Sequence, residues 1–247
     1  MMQGSPGALR RPAGDGVSKG LAKAGSNRSV PGSVGEPAEA GAEPAQRQAE
    51  SRERILDAAL REFARAGFAG ARVDAIAARA GINKRMLYAY VGNKDALWLA
   101  TLERAYAAKR AEEQALDLTR MKPREGMAIL VRFNFRYHAR HPEFLALLND
   151  ENLRGGRSVK RSARARALYS PLIDLIESLL RHGQEEGVFR GGIDPMQLYI
   201  SIMALSYFYC SNRHTLSAIF GRDLGAPEEM LAREQHVVDV IAGYLRP

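Results

Sequence analysis

Residues 73–94 read VDAIAARAGINKRMLYAYVGNK. Val73, Ile76, Ala77 and Ala80 recur at helical spacing and form one apolar face of a short helix. Gly81 follows where that helix must stop, and it permits a sharp reversal. Asn83 is placed to cap a second helix whose inward side is Ile82, Leu87 and Val91. Its outward side then carries Lys84, Arg85, Met86, Tyr88, Ala89 and Tyr90, a set that is basic and aromatic. Two short helices joined this way make a helix-turn-helix. Such a second helix fits the DNA major groove, where arginine forks onto guanine and apolar groups touch the thymine methyl.

The charge distribution points to the same stretch. Residues 51–94 hold nine basic and four acidic side chains, against six and five in residues 1–50 and twenty-one and nineteen in the remainder. Most of the net charge of +8 therefore sits on the predicted helix-turn-helix. A polyanion is drawn there by phosphate neutralisation and counterion release, with a steep salt dependence.

A hydrophobic content of 46% over 247 residues is ample for a sizeable core in one large or two small domains. No apolar run approaches the ~20 residues of a spanning helix, and the Gly/Ala/Pro-rich N-terminus lacks the continuous apolar core of a secretory signal. No membrane partner is expected. The single Cys210 reads as a small buried core residue and suits a reducing cytoplasm.

Residues 1–46 are dense in Gly, Pro, Ala and Ser without sustained periodicity, and a disordered tail is expected there. A helix is predicted from about Arg47, with Ile55, Ala59, Phe63 and Ala66 on one side. Gly67 is expected in a left-handed conformation after its last turn, with Phe68 folding back. Asn93 is a good cap for a long helix that follows, and Asp95 suits its positive end. Leu97, Trp98, Thr101, Leu102 and Ala105 line one side of it. Pro and Gly then divide the chain into helices at about 124–140, 143–153, 164–186, 195–213 and 227–245, with no competing strand alternation. The expected fold class is all-α.

The stretch IAARAG at 76–81, followed by Ile82, Asn83, Lys84, Arg85, Leu87, Tyr88, Tyr90, Asn93 and Lys94, resembles the DNA-binding signature of the TetR family of bacterial transcriptional regulators. The likeness spans roughly residues 52–98. It departs at Arg85 and Met86, where the family usually has small residues, and at Val91, where an aromatic residue is usual. Ala71 and Arg72 stand in place of a common threonine pair. The resemblance implies a helix-turn-helix DNA-binding domain of three helices over residues 47–93. A helical ligand-binding and dimerisation domain over 94–247 would follow it. It also implies a homodimer through the last two helices, a double-stranded palindromic operator, and a small-molecule effector that releases a repressor. Lys94 matches a phosphate-contacting position, and the helix it opens links the two domains. The residues expected at DNA are Arg72, Asn83, Lys84, Arg85, Met86, Tyr88, Tyr90 and Lys94.

No motif identifies the effector. By helical position and chemistry, Phe133, Tyr137, Asn149, Asn152, Tyr169 and Tyr207 are the candidate ligand-binding residues. Asn149, Asn152 and Arg154 either orient a polar small molecule or cap the helix before Gly155 and Gly156. His138 and His141 lie three apart, but no HExxH or cysteine cluster accompanies them, so no metal and no cofactor is expected. The basic run at 155–167 has no interleaved aromatic residues and reads as solvated surface. LYISIMALSYFYC at 198–210 is apolar nearly all round, and the last helix presents Met230, Val237, Val238, Ile241, Tyr244 and Leu245. Both have more apolar surface than one chain covers, which suits a dimer. No convergent catalytic constellation stands out, so an enzyme is not expected. The alternative reading is a ligand-independent DNA-binding or architectural protein.

Overall fold

The computed structural model describes residues 44–167 and 170–247, in which every regular element is helical. The candidate Tyr169 and residues 1–43 of the tail predicted over 1–46 lie outside the described residues, and residues 44–46, expected to be disordered, belong to the first helix. The N-terminal part is α1 (Pro44–Gly70), α2 (Val73–Arg79) and α3 (Lys84–Val91). Behind it come α4 (Lys94–Gln114), α5 (Pro123–Arg140), α6 (Pro142–Leu153), α7 (Ala163–Ala167), α8 (Ser170–Glu185), α9 (Pro195–Phe220) and α10 (Pro227–Leu245). The run expected as one helix at 164–186 corresponds to α7 and α8. Helix α1 begins three residues before its predicted start at 47, and α9 continues to Phe220, beyond the predicted end near 213. Neither difference moves a buried face.

The helix boundaries follow from local chemistry. Asn83 accepts from the Met86 backbone N–H at 2.8 Å, and Asn93 does the same for Ala96 at 2.8 Å, so α3 and α4 both start on asparagine caps. The α2 helix ends in a Schellman arrangement. Ile82 N–H reaches Ala77 O at 3.1 Å, Gly81 N–H reaches Ala78 O at 3.2 Å, and Gly81 sits at φ 69°. Gly67 departs from the left-handed geometry expected of it: φ is 66° but ψ is 175°, an extended turn open chiefly to glycine. That turn swings the Phe68 N–H outward onto the Asp150 carboxylate of α6. Proline at the first turn opens α5, α6, α9 and α10, where its missing N–H costs no helical hydrogen bond.

The core is continuous. Ile55, Ala59 and Phe63 of α1, Ile76 of α2 and Leu87 of α3 are fully or nearly fully buried, and they join Leu97, Trp98 and Leu102 of α4. Helix α1 packs against α6 as well as α4, so the N-terminal helices are seated on the rest of the chain from two sides. Helix α5 lies at the centre of the C-terminal part, in contact with α8, α9 and α10. Cys210 is buried, and burial pushes its thiol up to about 11. Among the described residues no helix is long and apolar enough to cross a membrane.

Candidate nucleic-acid interface and the polar interior behind it

Leu87 is the buried anchor of α3, and fixing it decides what the helix shows to solvent. Arg85, Met86, Tyr88 and Ala89 are exposed on the opposite side. Lys84 is exposed too, but its ammonium pairs with Asp74 of α2 at 3.0 Å, which ties the two helices together. Tyr90 is only half exposed and packs against the core. With Met86 and Ala89 it lines a shallow depression shared with Arg47, Gln48 and Ser51 of α1. Arg72 is exposed at the start of α2, where no side chain caps the helix.

Lys94 has a structural task. Its Nζ donates to Ala71 O at 2.7 Å and Ala69 O at 3.3 Å, closing the turn between α1 and α2, and it lies 5.0 Å from the Phe68 ring centroid. Two of its three donors are thus spent on backbone carbonyls. Glu62, which the sequence reading passed over, does comparable work inside. It is 1% exposed, pairs with Arg65 at 2.9 Å and Arg79 at 3.7 Å, and accepts the Arg72 backbone N–H at 3.3 Å. The Arg65 hydrogen bond, with the other donors, outweighs burial and holds its carboxyl below the ordinary value.

The ends of α1, α4 and α6 meet in a joint that sequence spacing gave no hint of. The Arg154 guanidinium covers the Phe68 ring at 3.5 Å and reaches Asp95 at 3.5 Å. Trp98 packs edge-on against Phe63 and Phe68 and donates its indole N–H to Glu151 Oε2 at 2.8 Å. Glu151 is 3% exposed and also accepts the Ser158 and Val159 backbone N–H groups at 2.6 and 3.1 Å. Burial pushes its carboxyl up, but these hydrogen bonds prevail and hold it low. Arg154, read as a candidate ligand contact or cap, is a structural part of this joint.

The candidate ligand residues divide. Tyr137 and Phe133 are buried on α5 with ring centroids 5.8 Å apart. Asn149 accepts from the Tyr207 hydroxyl and donates to Ser211 Oγ at 3.1 Å, which joins α6 to α9. Asn152 is exposed, and its amide donates back to Leu148 O of its own helix at 2.9 Å, away from the other candidates. His141 faces Glu143 at 3.0 Å, whereas the His138 ring is buried against Phe144 and Tyr207.

Behind Tyr137 lies a polar cluster that the sequence reading missed. Lys109, Arg110 and Glu113 occupy the buried stripe of α4 that begins with Leu97 and Trp98. Lys109 Nζ donates to Asn134 Oδ1 at 2.7 Å and lies 5.7 Å from the Tyr137 ring centroid. Burial, reinforced by Arg110, lowers its ammonium to about 7, and burial lowers His138 to about 3.

Two family descriptions fit the chain. "Bacterial regulatory proteins, tetR family" matches residues 55–101, and "Tetracyclin repressor-like, C-terminal domain" matches residues 123–241. The HTH-type transcriptional repressor NicS of Pseudomonas putida is 38% identical over 180 residues, 73% of this chain and 85% of that protein. The chain belongs to the TetR family. A second relative, the HTH-type transcriptional repressor SCO4008 of Streptomyces coelicolor, is 36% identical over 62% of this chain and 74% of its own. The crystal structure of the putative transcriptional regulator SCO4942 from Streptomyces coelicolor superposes with a TM-score of 0.60 at 27% identity. That superposition covers 80% of this chain and 99% of that one. The helix-turn-helix and the helical C-terminal part thus agree with TetR-family architecture, and the relatives place the chain among TetR-like repressors.

Proposed function

We propose that this TetR-family chain is a homodimeric repressor that occludes a palindromic operator and is released by a small-molecule effector. The observation that carries the DNA half is the outward face of α3, where Arg85, Met86, Tyr88 and Ala89 stand exposed on a helix held by the buried Leu87 and the Asn83 cap. In this reading Arg85 contacts a base edge, Met86 and Tyr88 supply apolar contacts, and Lys84, Tyr90, Arg72 and Lys94 face the phosphate backbone. The functional division falls at residues 93 and 94, with DNA binding before it.

The dimer is supported by apolar side chains that the chain leaves uncovered. Met196, Ile200, Phe208, Ile219 and Phe220 of α9 and Leu231, Val240 and Tyr244 of α10 are all at least 39% exposed. Pairing two copies through these helices gives a twofold axis, and the recognition helices then read half-sites about one DNA turn apart. Release requires an effector that favours a conformation with wrongly spaced recognition helices. Helix α4 carries the change, since it contributes to both the core behind α3 and the polar interior. Such a regulator acts in the cytoplasm by binding alone, without a cofactor.

Selection of bound sequences from a random DNA pool, at physiological salt, tests the proposal. Recovery of a palindrome is the expected result. Binding without a motif, vanishing as salt rises, would replace it with the architectural alternative.

A further inference from the structure

Lys109 is 1% exposed, and its ammonium donates to two neutral atoms, Asn134 Oδ1 at 2.7 Å and Met203 Sδ at 3.4 Å. The buried carboxylate on the same helix, Glu113, is paired with the buried Arg110. That carboxylate acts electrostatically on Lys109 as well as on Arg110. Beside them His138 is also 1% exposed, and neither of its ring nitrogens has a hydrogen-bond partner. Unpaired polar groups are costly to bury, so a site that holds an ammonium bonded to neutral atoms beside an imidazole with no hydrogen-bond partner lacks a complementary acceptor.

The surroundings describe that group. Tyr137 and Phe144 lie within 6.0 Å of the Lys109 ammonium, and Tyr207 stands edge-on to His138 at 6.1 Å. The walls are aromatic, and the polar groups behind them are the Lys109 ammonium and the His138 ring, with the Glu113 carboxylate engaged by Arg110. Tyr137 and Phe144 also line a cleft of about 230 Å³ between α1, α4 and the α5–α6 corner, whose outer polar rim is Asp57, Arg104, Glu112, His141 and Glu143. The same two rings thus stand between an open cleft and the buried ammonium, and their displacement would admit a ligand.

We infer that this buried cluster, opened by movement of those two rings, is the effector site and that its ligand is a small anion, an aromatic or otherwise apolar carboxylate. Its oxygens accept from Lys109 Nζ and a His138 N–H, and its body lies against Tyr137, Phe144 and Tyr207. The inference rests on the reading of the helical part as an effector domain. It also gives that reading a mechanical basis. Lys109 belongs to α4, the helix whose first residue, Lys94, closes the turn of the DNA-facing helices.

The test is thermal unfolding of the full chain with acetate, benzoate and 2-naphthoate, each beside its neutral amide. At least one carboxylate is expected to raise the midpoint, with its amide bound about tenfold or more weakly. The gain should disappear in Lys109→Met, a neutral variant of similar length. His138→Phe, which retains a ring, should weaken binding and guards against a misfolded Lys109→Met. Stabilisation by no carboxylate, equal stabilisation by acid and amide, or undiminished binding in Lys109→Met would each overturn the inference. Operator binding is measured on the same samples. Loss of DNA binding altogether would remove the regulator reading and leave the anion site standing. Intact DNA binding with no anion response would do the reverse.

Discussion

Glu151 offers the sharpest check on the joint between α1, α4 and α6. Its buried carboxylate accepts from the Trp98 indole and from the Ser158 and Val159 backbone groups, with Arg154 Nη1 3.8 Å away. Glu151→Ala leaves those donors in a dry site and removes the negative charge facing Arg154. Loss of one partner from such a buried charged network costs about 3–5 kcal/mol. At roughly 2–4 °C per kcal/mol for a chain of this size, the midpoint should fall by roughly 6–20 °C. Glu151→Gln keeps a carbonyl acceptor but turns an NH₂ toward donors, and it should lose about 2 kcal/mol. The assay is built in, because Trp98 is the only tryptophan and its fluorescence reports this site during denaturation. Protein concentration is held constant, since assembly shifts apparent stability. The native carboxyl titrates below 4.5, so its contribution is complete above the unfolded-state value and is lost as pH falls through the native one. The wild type should therefore lose more stability on acidification than Glu151→Ala, which retains only the share of other depressed carboxyls such as Glu62. A Glu151→Ala protein within about 1 kcal/mol of wild type would refute the reasoning.

Lys109→Met should be more stable than wild type at neutral pH by about 1–4 kcal/mol, because it removes an inadequately compensated buried charge. The native ammonium titrates near 7 against 10.5 when unfolded, so wild-type stability rises with pH between those values. Urea titrations from pH 7 to 10 should show the gap to Lys109→Met closing. Phe208→Glu combined with Leu231→Glu places charge on the exposed apolar faces of α9 and α10, and sedimentation should show a monomer in place of the dimer proposed for wild type. Arg85→Ala should relax selectivity at one operator position by about 1–3 kcal/mol in competition binding. Lys94→Ala should weaken all sequences alike and also loosen the α1–α2 turn, read as faster amide exchange near Ala71.

The helix-turn-helix was legible because its determinants are local. Asn83 and Asn93 cap helices that begin on the next residue, Gly81 reverses the chain, and of the positions read as inward Val73, Ile76, Ala77, Ala80 and Leu87 are buried while Ile82 and Val91 are partly buried against the core. Long-range pairing was not legible. Phe68 and Asp150 are 82 residues apart, and nothing in either segment names the other. The polar cluster escaped for a different reason. Lys109, Arg110 and Glu113 continue the buried stripe of α4 as charged residues, and periodicity counts charge as surface. Asn152 was singled out for its amide chemistry, but a local bond to Leu148 O occupies that amide.

Helix α4 has a further consequence as a rigid rod. Its 21 residues span about 32 Å at the standard rise per residue. A tilt of about 8° pivoting near Lys109, carried undamped along the roughly 22 Å back to Lys94, displaces that end by about 3 Å. That is close to the ~3.4 Å step between successive bases on one strand. A rearrangement of that size would therefore move the DNA-facing helix by about one base step, and in the proposed homodimer the partner would double the mismatch across a palindromic site.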